Sequence, residues 1–125
     1  MNENAKAWVE ALRSGKYKQT RRRLHDNDGY CCLGVGCEIA VEAGVIQPPK
    51  ERRRGEWVLY LYDDNHVTLP KAVQDWLGLS TQTGDFKLRN GMPECLSGMN
   101  DDGADFEWIA DVIESQPPGL FKEEE

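Results

Sequence analysis

The sequence predicts a single α+β domain in which a small antiparallel sheet packs against about four short helices. Apolar residues recur at helical spacing in several separate segments, and short aromatic or β-branched segments lie between them. Gly, Pro, Asn and Asp mark the boundaries. A chain of 125 residues suits one core, so we expect one domain over 1–125, with 116–125 as a loosely ordered acidic tail.

The first elements are expected to be a helix and a hairpin. Asn2 or Asn4 would cap the helix, and Gly15 would end it. Residues 17–24 alternate like a strand that is polar on both faces, which is typical of an edge strand or of a strand lining a ligand groove. A turn rich in Asp, Asn and Gly then leads to a short buried strand over 30–33.

The middle of the chain is expected to hold a second helix and a third strand. Gly34 or Gly36 lets the chain bend into the helix, and Gly44 ends it. Two prolines then exclude regular structure, so the arginines 52–54 are expected in a loop. Residues 56–62 alternate aromatic and aliphatic side chains, which predicts a strand.

The last third is expected to hold two helices around an irregular stretch. Pro70 opens the first of these helices and Gly78 ends it. Residues 79–98 are predicted to be loops around a possible short strand at 86–88, with a mobile flap. Asp105 caps the last helix, whose apolar residues follow at helical spacing.

The charge distribution narrows the range of possible functions. A formal net charge of −7 argues against general nucleic-acid binding, which needs a net basic face. Positive charge is concentrated in two arginine triplets, 21–23 and 52–54, which could hold phosphates of a small anion. Alternatively, both triplets are solvated surface. No apolar run reaches the length of a membrane span and the N-terminus is polar, so we expect a cytoplasmic protein without membrane contact.

The four cysteines are expected to be reduced. In a strand, the adjacent Cys31 and Cys32 would point to opposite faces, so they could not ligate one metal ion together. No C-x2-C pair is present. We therefore interpret the cysteines as small buried hydrophobic residues and expect no metal and no cofactor.

A nucleotide site needs arginines for phosphates, an aromatic face for a base, and amide or carboxylate groups for base edges or ribose hydroxyls. Arg22 is expected to point away from such a site, and Asn100 and Asp101 could instead serve as turn or capping residues. His25 and His66 both lie beside turns and match no catalytic or metal motif. The candidate ligand-binding residues are Tyr17, Gln19, Arg21, Arg23, Phe86, Asn100 and Asp101.

Four segments, 8–19, 29–35, 69–79 and 99–110, resemble a widespread family of small bacteriophage proteins. The Cys-Cys-Leu-Gly-Val block in the second segment is the most specific. The chain is also similar to phage anti-defence proteins that sequester nucleotide immune signals, such as the cyclic or histidine-linked ADP-ribose molecules made by Thoeris TIR enzymes. This resemblance implies a homo-oligomer in the host cytoplasm that holds its ligand without turnover.

The expected function is therefore sequestration of a nucleotide-derived signal, either cyclic ADP-ribose, a related conjugate or a cyclic oligonucleotide. Three alternatives stay open: a phosphodiesterase that degrades such signals, a protein-binding inhibitor of a host defence enzyme, and a structural phage protein. An enzyme should show a metal cluster or a paired histidine. A protein-binding inhibitor should present an exposed apolar patch.

Overall fold

A computed structural model describes residues 1–123, in which helices pack against two antiparallel sheets, so the predicted α+β class is confirmed. The helices are α1 (Glu3–Arg13), α2 (Cys32–Glu42), α3 (Lys71–Leu77), α4 (Leu96–Asp101) and α5 (Phe106–Glu114). The strands are β1 (His25–Asp26), β2 (Gly29–Tyr30), β3 (Lys50–Arg54), β4 (Trp57–Leu61), β5 (Asp85–Lys87) and β6 (Pro93–Cys95).

The larger sheet has the strand order β2-β1-β4-β3, and every neighbouring pair is antiparallel. His25 lies opposite Tyr30, and Asp26 lies opposite Leu59. Because side chains alternate between faces, His25 and Asp26 point to opposite sides of the sheet. Every residue of β3 is exposed, and its Lys, Glu and Arg side chains give this edge the charge that discourages pairing with another strand.

The predicted polar strand over 17–24 does not form. Its only ladder contact is a bridge between Gln19 and Tyr30. The segment bends because Arg22 adopts a left-handed backbone with φ +70°. The predicted strand over 30–33 is also wrong, because Cys31 caps α2 and Cys32 already begins that helix.

Two further predictions about the sheet and loops are corrected. The arginines 52–54 belong to β3 and pair with β4, because a highly charged segment can form an edge strand. In the stretch 79–98, the possible short strand at 86–88 forms as β5, but the remainder is not only loops, because β5 pairs with β6 and α4 begins there. Helix α4 was missed because it is only six residues long and four of them, Ser, Gly, Asn and Asp, are poor helix formers.

The predicted beginnings of α1 and α5 and the predicted end of α3 are confirmed. Asn2 caps α1 by accepting the backbone N–H of Ala5, and Asp105 caps α5 by accepting that of Trp108. Gly78 follows α3 in the left-handed conformation that often ends helices. Capping at these ends depends on residues that are close in the sequence, so the ends can be predicted from the sequence alone.

Helix α2 lies at the centre of the core. Most of its residues are buried, and the indole N–H of Trp8 on α1 donates to the Cys32 carbonyl at 2.9 Å. At Gly34, an added Cβ would lie 1.7 Å from the carbonyl oxygen of Leu24, so only glycine fits there. The glycine of the Cys-Cys-Leu-Gly-Val block is therefore a packing residue.

The segment after α5 is more ordered than the predicted loose tail over 116–125. Leu120 is fully buried. The N–H of Ser80 donates to Leu120 at 2.9 Å, and the N–H of Lys122 donates to Gly78 at 2.8 Å. Residues 124 and 125 of that predicted tail lie outside the described residues. Within residues 1–123, no helix is both long and apolar enough to cross a bilayer.

Candidate functional site

A cleft of about 580 Å³ lies between the bent segment 19–23 and the sheet, and we call it the arginine cleft. Its volume falls within the range of about 300–1,000 Å³ that small-molecule sites have. The lining residues are Gln19, Thr20, Arg21, Arg22, Arg23, Asp26, Asp28, Trp57 and Asp101. Of the predicted ligand-binding residues, the structure thus brings together Gln19, Arg21, Arg23 and Asp101.

Asn100 anchors the floor of the cleft without lining it. The residue is fully buried, and its Oδ1 accepts from the backbone N–H of Cys32 at 3.1 Å and from Gln19 Nε2 at 2.8 Å. Its Nδ2 donates to the carbonyl of Thr20 at 2.8 Å, and Gln19 Nε2 also reaches the Ala104 carbonyl at 2.9 Å. The Asn100 amide therefore ties the segment 19–23 to α2 and α4, which is a structural role.

The backbone at Arg22 directs the arginines into the cleft. Its left-handed conformation is held because the Arg22 N–H donates to Asp101 Oδ1 at 2.7 Å. A non-glycine residue in this conformation stores about 1–3 kcal/mol, and such strain clusters at ligand clamps and active sites. The result is that Arg21, Arg22 and Arg23 all line the same cleft, so the prediction that Arg22 points away is wrong.

Arg23 is held by two neighbours. Its guanidinium carbon lies 4.9 Å from the centroid of the Trp57 ring, and its Nη1 lies 3.8 Å from Asp26 Oδ2. The Asp26 side chain is only 1% exposed. Its carboxylate also accepts from the backbone N–H of Asp28 at 2.9 Å and from the Thr20 hydroxyl at 3.2 Å. The Arg23 charge therefore offsets that of Asp26.

Arg21 and Arg22 differ from Arg23 in their electrostatics. Among residues 1–123, neither guanidinium has a carboxylate within salt-bridge distance. Both side chains are exposed at the cleft. These two guanidinium groups are the ones available to an incoming anion.

Two predicted ligand residues lie elsewhere. Tyr17 packs its ring edge-on against Tyr30, with centroids 5.2 Å apart, and does not line the cleft. Phe86 is buried in the hydrophobic core. Trp57 supplies the aromatic face of the cleft instead. The sequence marks it as one of several strand aromatics, but only the pairing of β1 with β4 brings it beside Arg23.

His25 is not a simple turn histidine. Its ring stacks between Tyr30 and Tyr60, with centroids 3.8 and 3.9 Å away. Its Nδ1 lies 2.9 Å from the Tyr62 hydroxyl, which donates to the Glu38 carboxylate at 2.9 Å. Because the Tyr62 proton is used this way, its oxygen accepts the His25 Nδ1–H. Burial lowers the pKa of His25 to about 4, so the ring is neutral at pH 7.

The buried thiols of Cys31, Cys32 and Cys37 are protonated at neutral pH. Burial raises the pKa of Cys31 to about 12 and also raises the pKa values of Cys32 and Cys37. The sulfur atoms of Cys31 and Cys95 accept the backbone N–H groups of Gly34 at 3.4 Å and Gly98 at 3.3 Å, so each caps a helix. In the described part of the chain, no three His, Cys, Asp or Glu side chains are grouped to hold a metal ion.

A protein family described as a domain of unknown function (DUF8296) matches residues 1–117. The match spans every residue that lines the arginine cleft. No curated protein and no solved structure matches the chain.

Proposed function

We propose that this chain, which belongs to the DUF8296 family, binds a nucleotide-derived anion in the arginine cleft and holds it without chemical change. One observation carries the proposal: three consecutive arginines and a tryptophan line a single cleft of about 580 Å³. Guanidinium groups recognise phosphate oxygens by paired hydrogen bonds, and an aromatic face binds a base.

The phosphate contacts are assigned to Arg21 and Arg22. Neither is neutralised by an ion pair among residues 1–123, and consecutive residues can reach successive phosphates of a diphosphate. Arg23 contributes differently, because it is stacked on Trp57 and balances Asp26. Arg23 therefore fixes the orientation of the Trp57 indole ring in the cleft.

The carboxylates of the cleft restrict the class of ligand. Asp26, Asp28 and Asp101 line the cleft together with the three arginines, so the formal charges of the lining cancel. A bare phosphate would gain little net attraction in such a site. A nucleotide offers phosphates to the arginines and hydroxyl or amino donors to the accessible carboxylates of Asp28 and Asp101, so we expect ADP-ribose derivatives to bind more tightly than pyrophosphate.

The biological role that we propose is sequestration of a nucleotide immune signal by a phage anti-defence protein in the host cytoplasm. It rests on the similarity of the Cys-Cys-Leu-Gly-Val block and its neighbouring segments to small phage proteins, together with the arginine cleft. The proposal includes a homo-oligomer. A protein that only holds its ligand needs a high occupancy, which many charge-assisted contacts in one cleft would provide.

The deciding experiment is a retention assay. The protein is incubated with a panel of cyclic dinucleotides and ADP-ribose derivatives, washed on a filter and then heated, and the released material is identified by mass spectrometry. We expect one ligand to be retained and released intact. A cleaved product would instead indicate a phosphodiesterase, and no retention of any panel member would contradict nucleotide binding.

Variants then locate the site. Arg21→Ala and Arg22→Ala should each weaken binding at least about tenfold, because each removes a charge-assisted contact of about 1.5–3 kcal/mol. Arg53→Ala is the matched control. It removes the same charge from β3, where Arg53 forms an ion pair with Glu51. Arg53 lies opposite Val58 in the sheet, so its side chain is on the other face from Trp57. Calorimetry at two salt concentrations measures the affinities. Equal losses of affinity in all three variants would exclude the cleft as the binding site.

A further inference from the structure

A second surface feature runs along α5, on a part of the molecule that the arginine cleft does not include. Two neighbouring depressions of about 280 and 370 Å³ share the side chains of Phe86, Leu88 and Val112, and so form one groove, which we call the α5 groove. Met99 and Trp108 line the first depression, at the N-terminal half of α5.

Two of the large apolar side chains that are exposed among the described residues, Leu88 and Trp108, line the groove, and a third, Met92, lies in the turn next to Leu88. Trp108 is 60% exposed, Met92 57% and Leu88 43%, and Val67 is the one other large apolar side chain exposed among residues 1–123. Met92 is joined to Leu88 by a backbone hydrogen bond of 2.9 Å in the β5–β6 turn. A contiguous patch rich in Trp, Met and Leu is characteristic of a protein interface.

The charges along the groove have opposite signs at its two ends. Glu94 and Asp102 line the end beside Trp108, and Lys87 and Arg89 line the end beside the C-terminus of α5. None of these four side chains forms an ion pair within residues 1–123. Groups that are left unpaired around an apolar floor are available for contacts across an interface.

This pattern is complementary to itself. If a second copy of the chain lies across the groove with its α5 antiparallel, a two-fold axis places the acidic end of each copy on the basic end of the other. Each Trp108 then projects toward the far end of the partner groove, where Arg89 and Pro117 lie. An indole ring favours such neighbours, because it stacks on a guanidinium plane and packs against a proline ring.

We infer that the α5 groove is the interface of a homodimer, and that each subunit supplies its Trp108 to the groove of the other. The sheet edge is a poorer candidate, because every residue of β3 is exposed and the strand is highly charged. An unrelated protein segment would have to match both the apolar floor and the charge reversal, whereas a second copy does so by symmetry. Trp108 should contribute more to the free energy of association than any other side chain of the groove.

The first test is the mass of the full chain in solution, measured by sedimentation equilibrium between 1 and 100 µM. We expect the mass of two chains at the upper concentrations. Trp108→Ser should weaken association at least tenfold, whereas Val67→Ser, which changes an apolar residue of 47% exposure outside the groove, should leave it unchanged. Circular dichroism and thermal melts confirm that both variants fold.

The second test uses the charges. The double variant Lys87→Glu/Arg89→Glu makes both ends acidic, and Glu94→Lys/Asp102→Lys makes both ends basic. Each variant alone should be monomeric, and an equimolar mixture should recover dimers. A monomeric wild type at 100 µM, dimers that are indifferent to Trp108→Ser, or a mixture that stays monomeric would overturn the inference. If the wild type is monomeric, the groove would instead bind another protein or a small ligand.

Discussion

At the scale of single residues, the candidate site depends on one buried amide. Asn100 satisfies the Cys32 N–H and the Thr20 carbonyl, and it also receives the Gln19 amide that borders the arginine cleft. A buried polar group that loses its partner costs far more than an exposed one, because water cannot replace the bond. Asn100 thus shapes the cleft from beneath.

We therefore predict that Asn100→Ala lowers the free energy of unfolding by about 2–4 kcal/mol, since it leaves two buried backbone groups unpaired. Gln47→Ala is the control, because Gln47 is exposed and its side chain makes no hydrogen bond to residues 1–123. Urea denaturation measures both variants. If Asn100→Ala were as stable as Gln47→Ala, the anchoring role would be wrong.

The His25 ring gives a pH-dependent contribution with a defined sign. Its pKa is about 4 in the folded protein, whereas an unfolded histidine titrates near about 6.5. Between these values the unfolded chain binds more protons, so the stability that His25 contributes is complete above about pH 6.5 and is lost as the pH falls toward 4.

We predict that wild type loses about 1–2 kcal/mol more stability between pH 7.5 and 4.5 than His25→Phe does. This value is below the full pKa shift because the ring is partly solvated. The phenyl ring retains stacking between Tyr30 and Tyr60 but cannot be protonated. Urea denaturation at the two pH values provides the measurement, and parallel losses in the two proteins would assign the pH dependence to other groups.

The residue scale also shows what sequence patterns can predict about the site. Gln19, Arg21, Arg23 and Asp101 were predicted as ligand residues from residue type, because phosphate and ribose recognition needs those groups, and all four line the arginine cleft. Arg22 was misassigned since alternation presupposes a strand, and the bond from its N–H to Asp101 replaces that strand with a left-handed bend. Such a bond joins residues far apart in the sequence, and no local pattern reports it.

At the scale of elements, one end of α2 could be predicted from the sequence and the other could not. Its end at Gly44 follows from local chemistry, and the structure confirms it. The beginning of α2 could not be predicted, because Cys31 caps the helix with its thiol, and cysteine is not among the usual capping residues. The strands were likewise misplaced in the prediction: β1 forms at His25–Asp26, where a turn was expected, and the start of α2 ends β2 at Tyr30 after two residues.

The packing of α2 predicts an unequal response to the same substitution at two of its glycines. Gly34→Ala should destabilise the protein by at least about 3 kcal/mol, because the new methyl group meets the backbone carbonyl of Leu24, which cannot move independently. Gly36→Ala should change stability by less than about 1 kcal/mol, because its nearest neighbour is the end of the Leu77 side chain at 3.1 Å, and alanine favours the helix.

Both substitutions replace glycine with alanine in α2. At Gly36 the methyl group meets side-chain atoms of Leu77 and Trp8 at 3.1 Å or more, whereas at Gly34 it meets the Leu24 backbone. Most of the difference between the variants should therefore come from the contact with Leu24. Thermal and urea denaturation of the two purified proteins measures it. Similar stabilities for Gly34→Ala and Gly36→Ala would show that this part of the segment 17–24 yields easily, and would remove the packing explanation for the glycine of the Cys-Cys-Leu-Gly-Val block.

At the scale of the whole molecule, the segment after α5 closes the fold. Its backbone bonds to the residue after α3 and, through Pro118, to β5 at 2.8 Å, so it joins elements from two parts of the chain. The sequence prediction failed here because the acidic composition of the end concealed one buried side chain, Leu120.

We predict that Leu120→Ala lowers the free energy of unfolding by about 2–5 kcal/mol, as expected for a cavity in a core. Lys122→Ala should cost less than about 1 kcal/mol, because its ion pair with Asp75 lies on the surface. Limited proteolysis provides a second readout, since Leu120→Ala should expose the bond after Lys122 to trypsin. A fully stable Leu120→Ala protein would indicate that this segment is dispensable.

The placement of the tryptophans gives the molecule two separate optical probes. Trp57 lies in the arginine cleft and Trp108 in the α5 groove, whereas Trp8 is fully buried. Indole emission shifts to the blue when water leaves its surroundings. The emission of Trp57 in Trp108→Phe can therefore follow the proposed ligand binding, and that of Trp108 in Trp57→Phe the proposed subunit association. Each is measured without any label, above the emission of Trp8 and of the half-buried Trp76.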